Sequence, residues 1–141
     1  MAHILVVSTE NTRLAATMKS LRNGGYDVSG VSSFQEARQF LAGTPTDLVI
    51  ADERLGEFNA LHVILTARAS NPDLRAIVTT PKHPSPGLEA DAKSFRIACS
   101  PKPARAADWL EHPELRRLGR RGRLADRARR ANLSLVASAA S

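Results

Sequence analysis

The apolar residues of the chain fall into five short runs, separated by segments in which they recur every three or four positions. His3-Ile-Leu-Val-Val7 is continuous enough for a strand covered on both faces, and Ser8-Thr9-Glu10-Asn11 ends it with helix-capping side chains. Leu14, Ala15, Met18 and Leu21 then return at helical spacing until Gly24-Gly25 supplies a left-handed exit. Tyr26 to Val31 predicts a second, more polar strand of the edge type. Ser33, with Glu36 at the capping-box position, predicts a helix through Leu41 that Gly43-Thr44-Pro45 closes. Asp47 to Ala51 predicts a third, buried strand that delivers Asp52 to the loop at its carboxyl end. Leu61, Ile64, Leu65 and Arg68 share one side of the next helix, ended by Asn71-Pro72. Ala76 to Thr80 is strand four, stopped by Pro81. Beyond Pro84 and Pro86, a short helix from Leu88 to Lys93 leads into strand five, Phe95 to Cys99.

Strand and helix therefore alternate five times. Each parallel crossover has to travel back over the sheet, so the expected fold class is α/β, a doubly wound five-stranded parallel sheet of order 2-1-3-4-5 with helices on both faces. In such sheets ligands gather outside the carboxyl ends of the strands, which makes Asp52 a site candidate on placement alone. From Ala104 the composition is helical, with Trp109, Leu110, Leu115 and Leu118 as apolar markers and Pro113 as a break or restart. The pattern predicts one domain over residues 1–118 and an Arg-rich, partly disordered tail over residues 119–141.

Composition narrows the function classes. At 141 residues and 43% hydrophobic the chain holds one core. No run approaches the roughly 18 apolar residues of a membrane span, and the first residues lack the basic start and long apolar centre of a signal peptide, so a cytoplasmic location is expected. The single cysteine, Cys99, excludes an internal disulfide framework. His3, His62, His83 and His112 show no metal-ligand spacing, no Gly-x-Gly-x-x-Gly or Walker-type loop follows the first strand, and no nucleophile–base–acid arrangement is evident. An enzyme is not expected.

The formal net charge of +6 is unevenly placed. Residues 1–115 hold 12 Lys and Arg against 13 Asp and Glu, whereas residues 116–141 hold eight arginines (Arg116, Arg117, Arg120, Arg121, Arg123, Arg127, Arg129, Arg130) against Asp126 alone. A charge block of this kind is either a solvated tail or an arm for nonspecific contact with polyanions. With no helix-turn-helix pattern beside it, sequence-specific DNA reading is not expected.

The stretch Asp47-Leu-Val-Ile-Ala-Asp52-Glu-Arg-Leu55, with Thr80 at the end of strand four and Lys102-Pro103 after strand five, resembles the receiver domains of bacterial response regulators over residues 1–118. The resemblance implies a flavodoxin-like receiver fold, a phosphoacceptor position at Asp52, switch and phosphate-contact positions at Thr80 and Lys102, and partners such as a sensor kinase or an output protein. It also exposes departures. Receivers carry two acidic residues after strand one that help the aspartate hold Mg²⁺, and here those positions read Ser8 and Thr9. Mg²⁺ prefers charged oxygen ligands, so no metal is expected; if one binds, the resemblance implies Asp52 and the backbone of Arg54 as ligands. Without the acids, Asp52 and Lys102 are expected to pair directly. Pro81 removes a backbone N–H after Thr80, and a switch at Thr79 would restore that donor through Thr80. Gly56, Ala60 and Cys99 replace the usual loop proline, loop glycine and aromatic switch residue. The leading expectation is an atypical receiver that signals by protein–protein contact without Mg²⁺-dependent phosphorylation, with homodimerisation through the fourth and fifth units. The alternatives are a true phosphoacceptor on Asp52 and a flavodoxin-like small-molecule-binding module.

Overall fold

The computed structural model describes residues 2–81 and 86–119. Five strands, β1 (His3–Val7), β2 (Asp27–Val31), β3 (Leu48–Asp52), β4 (Arg75–Thr80) and β5 (Ala98–Pro101), form one parallel sheet of order β2-β1-β3-β4-β5. This is the order that the alternation predicts. The crossovers are α1 (Asn11–Asn23), α2 (Phe34–Gly43), α3 (Ala60–Arg68) and α4 (Leu88–Ser94).

Strand parity divides the core in two. Ile4, Val6, Leu48, Ile50 and Ile77 face one side, where they meet Leu21 of α1 together with Trp109, Leu115 and Leu118. Leu5, Val7, Val49, Ala51, Ala76 and Val78 face the other, against α2, α3 and α4. Leu5, Ile4, Leu48 and Ile77 are fully buried, each contributing about 1.5–3 kcal/mol by leaving water.

Local chemistry sets the element ends. Ser33 Oγ accepts the Glu36 N–H at 3.1 Å and the Glu36 carboxylate accepts the Ser32 N–H at 3.0 Å, a near relative of the predicted capping box. Gly25 takes the left-handed exit of α1 at φ 94°. The start of α1 differs from expectation, since Glu10 stands at the N-cap without a side-chain cap. The fifth strand also differs: it begins at Ala98, three residues after Phe95. The Phe95 N–H is spent on carbonyls of α4, Arg96 turns the chain at φ 56°, and Phe95 is left 45% exposed while Ile97 fills the core.

After β5 the chain forms a 3-10 helix, Ala106–Glu111, packed on α1, and then a helical segment over residues 113–119. Pro113 sits where a helix start tolerates a missing N–H. The segment is anchored three ways. Leu115 is fully buried, the Tyr26 hydroxyl donates to the Leu115 carbonyl at 2.9 Å, and Arg75 grips both oxygens of Glu114 at 3.0 Å each. Arg116 and Arg117 pair with Glu111 and Glu114. The remaining tail arginines, from Arg120 on, and His83 lie outside the described residues.

His112 caps this segment, its Nδ1 accepting the Glu114 N–H at 3.1 Å. Burial lowers its pKa from the ordinary 6.5, with Glu114 pulling weakly the other way. The unfolded chain then takes up the proton first. Stability from this group is complete above the unfolded value and is lost as pH falls through the lower folded value. Asparagine at this position keeps an acceptor and removes the titration. His112→Asn is therefore expected to flatten the fall in thermal midpoint between roughly pH 7 and pH 5. Equal slopes in the two proteins would assign that fall to another group.

Candidate functional site

The carboxyl ends of β1, β3 and β4 bring three polar side chains together. Asp52 pairs in register with Thr79, and both continue the face that carries Ile50 and Ile77. Ser8, two positions beyond Val6, follows the same parity and is 2% exposed. The Thr79 hydroxyl donates to Asp52 Oδ1 at 2.6 Å. The Ser8 hydroxyl donates to Asp52 Oδ2 at 2.7 Å and accepts the Glu10 N–H at 3.2 Å. Arg13, in the first turn of α1, places Nη1 3.4 Å from Oδ2 and pairs through Nη2 with Glu10. Asp52, whose side chain is 15% exposed, thus has a donor on each oxygen and a cation beside it. Hydrogen bonds to a charged group are worth about 1.5–3 kcal/mol each when partly buried.

Beyond Asp52 a two-residue-arm hairpin, Arg54–Leu55 against Phe58–Asn59, turns at Gly56, whose φ of 68° favours glycine. Asn59 caps α3 by accepting the His62 N–H at 2.9 Å. Phe58 stacks on Phe34 with ring centroids 4.0 Å apart, and His62 tilts against Phe34 at 5.1 Å. The Glu53 N–H bonds the Thr79 carbonyl at 2.9 Å, and Glu53 itself is 4% exposed.

A cavity of about 250 Å³ opens over Asp52. Its lining includes the carboxylates of Glu10, Asp52 and Glu53 and the cations Arg13, Arg54 and Lys102, so the charges balance. Among the described residues no group of three or more His, Cys, Asp or Glu is arranged to share a metal ion.

Several expectations change at this point. The hydroxyl on Asp52 belongs to Thr79 and not to Thr80, because alternation turns Thr80 to the opposite face of β4. Thr80 consequently follows the contacting threonine and keeps the N–H that Pro81 lacks. The cation paired with Asp52 is Arg13 and not Lys102, which lines the cavity without an ion pair among the described residues. Ser8 reaches Asp52, whereas Thr9 is exposed on the cavity rim. Arg13 escaped the sequence reading. The available signal was a cation in the first turn of the helix that follows β1. Cys99 is half buried, and burial first, then Glu89 and Glu53, push its thiol pKa up.

No family model matches the chain. It is 32% identical over 120 residues to the alginate biosynthesis transcriptional regulatory protein AlgB of Pseudomonas aeruginosa, a match covering 79% of this chain and 26% of that protein. The AlgB protein of Pseudomonas putida is 31% identical over 124 residues, covering 84% of this chain and 27% of that one. The chain thus spans about a quarter of the length of these relatives. Among solved structures, a CheY-like response regulator receiver domain from Methanospirillum hungatei superposes with a TM-score of 0.76 at 20% identity, covering 87% of this chain and 98% of that one. A response regulator receiver protein from Pseudomonas putida gives 0.68 at 26% identity, covering 78% and 93%. The chain has the CheY-like receiver fold, and its structural neighbours are response regulator receiver domains.

The Arg13–Asp52 contact makes a measurable prediction. In a denaturation cycle of Arg13→Ala, Asp52→Asn and the double variant, the two positions are expected to couple by about 1 kcal/mol, a value that shrinks with added salt. Additive losses would show that the pair does not form in solution.

Proposed function

We propose that the chain is an atypical receiver module that acts in two-component signal transduction by protein–protein contact, without Mg²⁺-dependent phosphorylation of Asp52. One observation carries the reading: both Asp52 oxygens are already bonded, by Ser8 and Thr79, and Arg13 supplies the neutralising charge. Mg²⁺ requires near-octahedral oxygen ligands, usually one or two carboxylates together with several waters. The residues around Asp52 do not fit it. Hydroxyls stand at positions 8 and 9, where the family has acids, and a divalent ion on Asp52 would have to compete with Arg13, which reaches it from α1. The receiver fold and the partial match to transcriptional regulators support a sensor kinase or an output protein as the partner. Such a module works in the cytoplasm, and no described helix is long and apolar enough to cross a membrane. No catalytic role is assigned.

A second reading, a true phosphoacceptor, is favoured by one feature. Asp52, Thr79 and Lys102 border the same cavity, where a phosphoryl group on Asp52 would meet a hydroxyl and an amine. Intact-mass measurement after incubation with Mg²⁺ and acetyl phosphate separates the two. No mass gain is expected. Addition of one phosphoryl group to the parent but not to Asp52→Asn would replace the first reading with the second.

The eight tail arginines are part of the proposal as an electrostatic arm. Arg116 and Arg117 are engaged with acids, so contact with polyanions falls to Arg120, Arg121, Arg123, Arg127, Arg129 and Arg130. Deletion of residues 120–141 is expected to leave the thermal transition in place and abolish binding to heparin, binding that in the full chain weakens steeply with salt. Equal heparin binding by both proteins would reduce the arginines to a solvated tail.

A further inference from the structure

The α1 side of the sheet holds a second space, which shares Arg13, Asp52, Thr79 and Lys102 with the cavity over Asp52 but extends toward Trp109. After Lys102-Pro103 the chain does not enter an α-helix at once. It runs irregularly into the 3-10 helix Ala106–Glu111, leaving a cavity of about 290 Å³ between α1, the ends of β1 and β3, and Trp109. That is on the order of ten water volumes and lies at the small end of the range for ligand pockets. Val6, Ile50, Ala16 and Trp109 supply apolar walls, while the polar groups Asp52, Arg13 and Lys102 border the same space.

Charge decides what this space accepts. Arg13 answers both Asp52 and Glu10, and Lys102 makes no ion pair among the described residues, so the charged groups that line this cavity, Arg13, Lys102 and Asp52, sum to one positive charge. An amine on the border of an apolar cavity favours an anion. A bare inorganic anion would leave the walls against Trp109 wetted, whereas an apolar body removes them from water.

We propose that this cavity binds a small organic acid, its carboxylate paired with Lys102 and its apolar body packed against Trp109, Val6 and Ile50. The site gives the module a chemical input that does not pass through phosphorylation. It rests on the proposed function only in that a phosphoryl group on Asp52 would compete for Lys102.

Trp109 is the chain's single tryptophan and reports on the cavity directly. Phenylacetate titrated into the full chain in EDTA, with no phosphodonor, is expected to give a saturable change in its fluorescence. Lys102→Ala is expected to weaken binding roughly tenfold or more, and phenylacetamide, of the same shape without the charge, to bind the parent more weakly by a similar factor. Ala16 is exposed on α1 at the cavity, so Ala16→Leu should obstruct binding while circular dichroism and the thermal midpoint stay close to the parent's. No saturable signal, phenylacetamide binding as tightly as phenylacetate, or inorganic phosphate displacing phenylacetate at equal concentration would each overturn the proposal. The two readings fail separately. Phosphoryl gain with phenylacetate binding intact removes only the unphosphorylated reading, and absence of both removes only this one.

Discussion

The site is organised by the need to neutralise one carboxylate. Asp52 is carried to the end of a buried strand and held with its side chain mostly out of water, where an uncompensated charge costs several kcal/mol. A protein meets such a charge with metal, cation or hydrogen bonds. Here Ser8, Thr79 and Arg13 supply the second and third of these from the residue after β1, from β4 and from α1, which the sheet order already brings to one place. The compensation therefore needs no rearrangement of the fold.

Scaffold and site are separate in this receiver fold. The two apolar layers draw on alternate residues of β1, β3 and β4 and do not depend on what stands at positions 8, 9 or 13. The Ser8 hydroxyl lies outside both apolar layers. It meets Asp52 as a direct hydrogen-bond donor, with no like charge beside the carboxylate at that position.

The sheet was legible because its evidence is redundant: five apolar runs, helical spacing between them and turn residues at the joints all require the same topology. The position of Asp52 at a carboxyl edge followed from that topology alone. The contact with Thr79 was not legible in the same way, since Thr79 and Thr80 have the same chemistry and a shift of one residue reverses the face. Only the pairing of Asp52 with Thr79 settles it. Lys102 carries the right charge at the right strand end, but Arg13 reaches Asp52 from a helix turn whose orientation no sequence period encodes. Phe95 misled for a related reason. An aromatic residue at the head of an apolar run reads as strand until a helix end claims its N–H.

The end of the chain links these parts. Arg75 at the start of β4 holds Glu114, Tyr26 before β2 holds the Leu115 carbonyl, and His112 caps the segment that both contact. With its far end fixed, the segment between Lys102 and Trp109 is restrained at Leu115 and at β5, and its irregular course between those anchors is what leaves space beside Asp52. A continuous helix starting at Pro103 would rise only 1.5 Å per residue and would bring side chains over that space at every turn. The 3-10 segment instead sets Trp109 as one wall and leaves Lys102 at its border. The feature that departs from a regular final βα unit is thus the same one that gives the carboxylate's surroundings an apolar neighbour.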